Sequence, residues 1–148
     1  MSPRTGAIFM RVVAIVFGVY AVLWGLAPFP EVNLPARVIL DLSDWPIDNL
    51  ASPLDRNTTW LVSIAAGLLA ALAIFLGLVV APAIEQGDRE IVKATVYAFL
   101  VWYAIDGIGS YASGVTSNIA FNTLYLVLAM LPLILTRSQH PPRTQRPP

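Results

Sequence analysis

The sequence predicts an all-α, polytopic membrane protein: a four-transmembrane-helix bundle with a short interfacial helix in its first outward loop. Three observations predict it. Of 148 residues, 57% are hydrophobic and 12% charged, against roughly 25% charged in soluble domains. The charges cluster and leave four apolar runs, each close to the ~20 residues that cross a ~30 Å hydrocarbon core. The basic residues also sort to one side of the predicted path, with Arg4, Arg11, Arg89, Lys93, Arg137, Arg143 and Arg146 against Arg37 and Arg56. That bias places both termini and the middle turn on the cytoplasmic side of an inner or plasma membrane.

The four-helix domain covers residues 1–136, with spans at about 7–27, 60–81, 91–111 and 115–135. Residues 137–148 are rich in proline and arginine and read as a disordered basic cytoplasmic tail. A formal net charge of zero gives no footprint for nucleic acid. The absence of cysteine removes disulfides, thiolate metal sites and cysteine nucleophiles. The one histidine, His140, falls in the tail. No metal or cofactor is expected.

The first span, Ala7–Ala27, carries Arg11 near its start, where a long side chain can snorkel. Gly25-Leu26-Ala27 resembles a cleavage site, but Pro28 would follow the cut, so a retained helix is preferred to a signal peptide. Tyr20 and Trp24 suit an interfacial belt. Ala14, Gly18, Ala21 and Gly25 recur at steps of four and three, a face of small residues that lets helix backbones approach.

Pro28–Thr58 is the one long loop. Within it, Pro35 suits a first helical position, and Val38, Leu42 and Trp45 make a stripe for a surface helix. Its five acidic residues, Glu31, Asp41, Asp44, Asp48 and Asp55, lack the spacing of a calcium loop. Ser52-Pro53-Leu54-Asp55 looks like a helix start with Ser52 as N-cap. The second span has its own small face at Ala66, Ala70, Ala73 and Gly77. Pro82 follows where a kink or an exit is cheap. Gly87 suits the C-cap of this helix and Asp88 the N-cap of the next.

Spans three and four form a hairpin turning near Gly114. Asp106 is the only carboxylate inside an apolar run, and a charge in such a place is by default a candidate site. Tyr103, Asp106, Ser110 and Ser113 share one helix face, and Asn118, Asn122 and Tyr125 share another. Antiparallel register sets Asp106 opposite Asn122 and Ser110 opposite Asn118. Asp106 lies about five residues from its helix end, roughly 7–8 Å deep. The candidate ligand-binding residues are Tyr103, Asp106, Ser110, Asn118 and Asn122. The same pattern also reads as a structural clamp of interhelical hydrogen bonds, or as a proton relay. No nucleophile elbow, Walker loop, zinc-helix motif or paired carboxylates occur, so no enzyme is expected.

In layout, and in the Asp106-Gly107-Ile108-Gly109-Ser110 end of the third helix with its Ser113-Gly114 turn, the chain resembles the DoxX-like group of small bacterial membrane proteins. The resemblance implies a four-span fold and, for some relatives, a link to oxidoreductase complexes. It transfers no catalytic residue. The function expected is a non-catalytic interaction or accessory subunit, partnered by the lipid bilayer and by another membrane protein or a second copy of itself. A binder or carrier of a small lipophilic ligand around Asp106 is the alternative. A proton-coupled small transporter comes third, because the first span has no carboxylate.

Overall fold

A computed structural model of the chain describes residues 1–50 and 53–136. These residues are mostly helical, with no strand among them, and four helices are long and apolar enough to cross a membrane: Pro3–Gly25, Arg56–Gln86, Arg89–Ala112 and Thr116–Leu135. Ser52 and the 137–148 tail lie outside the described residues.

Helix α1 (Pro3–Gly25) starts before the apolar run because Ser2 caps it, its Oγ accepting from Thr5 N at 3.1 Å, with Pro3 in the first turn. Helix α2 (Leu34–Ser43) is the short helix expected after Pro35. It turns Ala36 and Asp41 inward, while Val38 and Trp45 of the expected stripe are exposed. Helix α3 (Arg56–Phe75) is capped by Asp55, whose Oδ1 accepts from Asn57 N at 2.7 Å and Thr58 N at 3.1 Å. The helix therefore starts three residues later than a Ser52 cap would place it.

Helix α3 does not stop at the end of its apolar run. It passes through one π-helical turn (Leu76–Val80) into α4 (Ala81–Gln86). Pro82 explains the wide turn. Its ring has no N–H and would press on the carbonyl four residues back. With the Ala81 N–H reaching Leu76 O, five residues back, the ladder opens just before the ring. Gly87, at φ 73°, closes α4, and Asp88 caps α5 (Arg89–Ala112), accepting from Glu90 N and Ile91 N. Gly114, at φ 81°, makes the turn into α6 (Thr116–Leu135).

The main seam joins α1 to α3. A Cβ built on Gly77 would lie 3.5 Å from Ala14 Cβ, one on Gly18 3.9 Å from Ala73 Cβ, and one on Gly25 4.0 Å from Ala66 Cβ. The two small-residue faces therefore meet each other in antiparallel register. Close backbone approach lets many small van der Waals contacts accumulate along the seam. At one end of the bundle Met1 N donates to Leu135 O at 2.8 Å, and Arg11 Nη2 pairs with Glu85 Oε2 at 3.2 Å. Arg11 thus finds a partner on α4. At the other end α2 packs over Ala27 and Val62, beside Trp24 and Leu54. The outer face of α5 is an apolar stripe, Val101, Ile105 and Ile108, of which Ile108 is 71% exposed.

Candidate functional site

The polar residues of the α5–α6 hairpin separate into two groups. At the α2 end, Asp106 Oδ1 accepts from Ser110 Oγ at 3.0 Å and from Asn118 Nδ2 at 3.0 Å, and Asn118 Nδ2 also reaches Ser110 Oγ at 2.9 Å. Asp106 and Ser110 stand one turn apart on one face of α5, and Asn118 comes from the first turn of α6. These hydrogen bonds tie α5 to α6 through Asn118, not through the Asn122 of the expected clamp. Ser110 meets Asn118 as the expected register has it, whereas Asp106 makes no hydrogen bond to Asn122 and only shares a cavity wall with it.

Tyr103 is separate again. Thr123 Oγ1 donates to Ile119 O at 2.7 Å, so the Tyr103 hydroxyl, 2.8 Å away, donates to Thr123. This bond lies on the exposed side of the α5–α6 seam, and Tyr103 does not line the cavity described next.

Asn122 points into the bundle. It is 6% exposed and its Nδ2 has no hydrogen-bond partner. It lines a cavity of about 280 Å³ that Asp106 also lines, together with residues of α1 and α3. The α1 wall is aromatic: Phe17, Tyr20 and Trp24 follow at steps of three and four, on one face of the helix. Phe99 and Trp102 of α5 and Tyr125 of α6 also line it. The rings meet edge-on, with Phe17–Tyr125 centroids 5.9 Å apart and Phe99–Trp102 centroids 6.3 Å apart, a favoured aromatic geometry. Trp24 Nε1 is buried and has no partner either. Tyr20 and Trp24, expected as an interfacial belt, line the cavity.

A second, more polar chamber of about 730 Å³ lies toward α2, lined by Arg37, Asp41, Asp55, Ser110, Asn118 and again Asp106 among others. The segment over it is fastened at two points. Asp41 is 5% exposed and accepts from Asn49 N at 3.1 Å. Ser117 Oγ donates to Ser43 O at 2.6 Å and accepts from Trp45 N at 3.1 Å. Asp106 is thus common to an aromatic cavity and a polar chamber.

The chain matches no family model, no curated protein and no solved structure.

The site's chemistry must therefore be read from its own atoms. It offers two unpartnered N–H donors, six aromatic rings and one carboxylate with an oxygen already engaged. Among the described residues no three His, Asp or Glu side chains are grouped to hold a metal ion. Of the five residues singled out from the sequence, the structure brings Asp106, Ser110 and Asn118 into one network. It puts Asn122 on the aromatic cavity beside Asp106, and leaves Tyr103 outside. The aromatic wall was missed. Its signal was present in the helical spacing of Phe17, Tyr20 and Trp24, next to the small-residue face.

Proposed function

We propose that this is an integral membrane protein that binds one small lipophilic molecule inside its helix bundle, with no catalysis of its own. The observation that carries the reading is Asn122: a buried amide with an unpartnered nitrogen, on an aromatic cavity in the middle of an apolar bundle. Leaving a buried donor unpaired costs about 1–3 kcal/mol, and a bound molecule offering an acceptor removes that cost. Concave, mostly apolar pockets with a few converging polar groups are the usual form of small-molecule sites. The cavity also supports binder over pure clamp, because the clamp bonds are complete without Asn122.

Membrane placement is supported by the apolar exterior of α5 and by the basic bias of the end carrying the termini. On the positive-inside rule that end is cytoplasmic and α2 lies outside, in a plasma membrane. The carrier form of the reading is supported by Asp106, which borders both the cavity and the polar chamber at the α2 end. A role as the binding subunit of a larger assembly fits the same site, and the DoxX-like layout adds no residue to it.

Ala65 lines the cavity, so Ala65→Phe puts a ring into it. Native mass spectrometry of wild type, purified and stripped of bulk lipid, should show a small bound molecule or uptake of an added naphthalene derivative. Ala65→Phe should show neither. Equal uptake by both proteins contradicts the reading.

A further inference from the structure

We infer that the molecule held in the aromatic cavity is neutral and carries a hydrogen-bond acceptor, a carbonyl-type oxygen on a flat lipophilic body. This rests on the cavity reading above and specifies its chemistry.

The argument starts with the two unpartnered atoms on the cavity wall, Trp24 Nε1 and Asn122 Nδ2. Indole N–H is a donor only. Whichever way the Asn122 amide is turned, Trp24 still calls for an acceptor. No water reaches such groups from lipid, so the satisfaction has to come from inside the bundle. The other polar side chains on the wall are Tyr20, Tyr125 and Asp106.

Charge decides between the ligand classes. No lysine or arginine lines the cavity, so an anion would be desolvated with no cation to pair with it. A cation would find aromatic faces and Asp106. It would also face two N–H dipoles by their positive ends and leave both donors unpaired. Asp106 Oδ1, moreover, is already bonded to Ser110 and Asn118, residues of the polar chamber. A neutral acceptor satisfies the donors and meets no opposing charge. The walls set the shape. Rings on α1, α5 and α6 line a partly open cavity of about 280 Å³, near the lower limit of small-molecule sites, which suits one or two fused rings.

The test uses three near-isosteric probes: 2-acetylnaphthalene, 2-isopropenylnaphthalene and 1-(2-naphthyl)ethylamine. Their binding is measured on the full chain in nanodiscs, with empty discs subtracted. The ketone is expected to bind about tenfold tighter than the alkene, the size of one hydrogen bond regained by a buried donor, and tighter than the amine. Trp24→Phe keeps a ring and removes one donor, and Asn122→Leu removes the other. Each should reduce the ketone's advantage, and Trp24→Phe keeps the test decisive if Asn122→Leu does not fold. Equal binding of ketone and alkene, or preference for the amine, overturns the acceptor class and leaves the cavity reading standing. Failure of all three probes overturns both. A lipid ester carbonyl has the same chemistry as a free ketone. If an ester lipid is the resident molecule, ketone binding strengthens in discs of ether-linked lipid. If the ligand is a free molecule it is unchanged, and both results support the acceptor class.

Discussion

The Asn118 amide nitrogen lies 3.0 Å from Asp106 Oδ1 and 2.9 Å from Ser110 Oγ. One side chain at the start of α6 therefore holds two positions one turn apart on α5. Both neighbours of the Gly114 turn are fixed by this bond set, and with them the depth at which Asn122 faces the cavity.

A double-mutant cycle should see this geometry. Asp106→Ala and Asn118→Ala should be less than additive in unfolding free energy, with a coupling of about 0.6–1.7 kcal/mol, the range for interhelical hydrogen bonds in bilayers. Asp106→Ala and Asn122→Ala should couple more weakly than the Asn118 pair, because the two side chains share a cavity wall but no hydrogen bond. Reversible unfolding in mixed micelles measures both. Coupling confined to the Asn122 pair would mean that the hairpin is one turn out of register.

The α1–α3 seam makes a second prediction. Gly18 stands 3.9 Å, by a built Cβ, from Ala73, whereas a Cβ on Gly67 meets nothing within 4 Å. Gly18→Leu should overpack the seam and destabilise by about 1–3 kcal/mol, the usual range for added core bulk. Gly67→Leu should leave the unfolding midpoint unchanged. Equal stability of the two variants would show that the small-residue face of α1 does not bear on α3.

Much of this fold was legible because membrane helices obey length and period. The four apolar runs, both small-residue faces, the Gly87 and Asp88 caps and the turn at Gly114 all follow from local rules. Helix starts were less legible. Asp55 takes the N-cap assigned to Ser52 because its carboxylate reaches the N–H groups of both Asn57 and Thr58. The site was legible only in part. A hairpin with a known turn centre gives depth only to within about a turn, and Asn118 and Asn122 lie one turn apart on the same face of α6, so the turn alone did not decide which of them bonds Asp106. The aromatic wall needed a tertiary fact, that the face of α1 bearing Phe17, Tyr20 and Trp24 turns inward. Tyr and Trp near a span end read equally well as an interfacial belt.

Topology is the third prediction. Cysteines at Ser2 and Gly87 should resist an impermeant thiol reagent in intact cells, and one at Asn49 should react. The motive is the basic bias of the end where Met1 N meets Leu135 O and Arg11 meets Glu85. Labelling at Gly87 with none at Asn49 would invert the orientation.

The cap of α3 should be acid-sensitive. The Thr58 hydroxyl, and then the N–H groups of Thr58 and Asn57, hold the Asp55 carboxyl below its ordinary pKa. A group depressed in the folded state stabilises fully above its unfolded value, about 3.9. That stabilisation is lost as pH falls through the folded value. Corrected for intrinsic exchange, amide protection at Asn57 and Thr58 should drop in this acid range. In Asp55→Asn the drop should vanish. Unchanged protection in wild type would show that the cap is not ionic.

The central claim is that the cavity between Trp24 and Asn122 is a binding site, and a heavy-atom probe tests it most directly. Crystals grown with 6-bromo-2-acetylnaphthalene should give an anomalous bromine peak inside the ring of Phe17, Tyr20, Trp24, Phe99, Trp102 and Tyr125, with the ketone oxygen toward Trp24 Nε1 and Asn122 Nδ2. The peak should be absent in Ala65→Phe. Bromine found only along the exposed Val101–Ile105–Ile108 stripe, or unchanged in Ala65→Phe, would contradict the account.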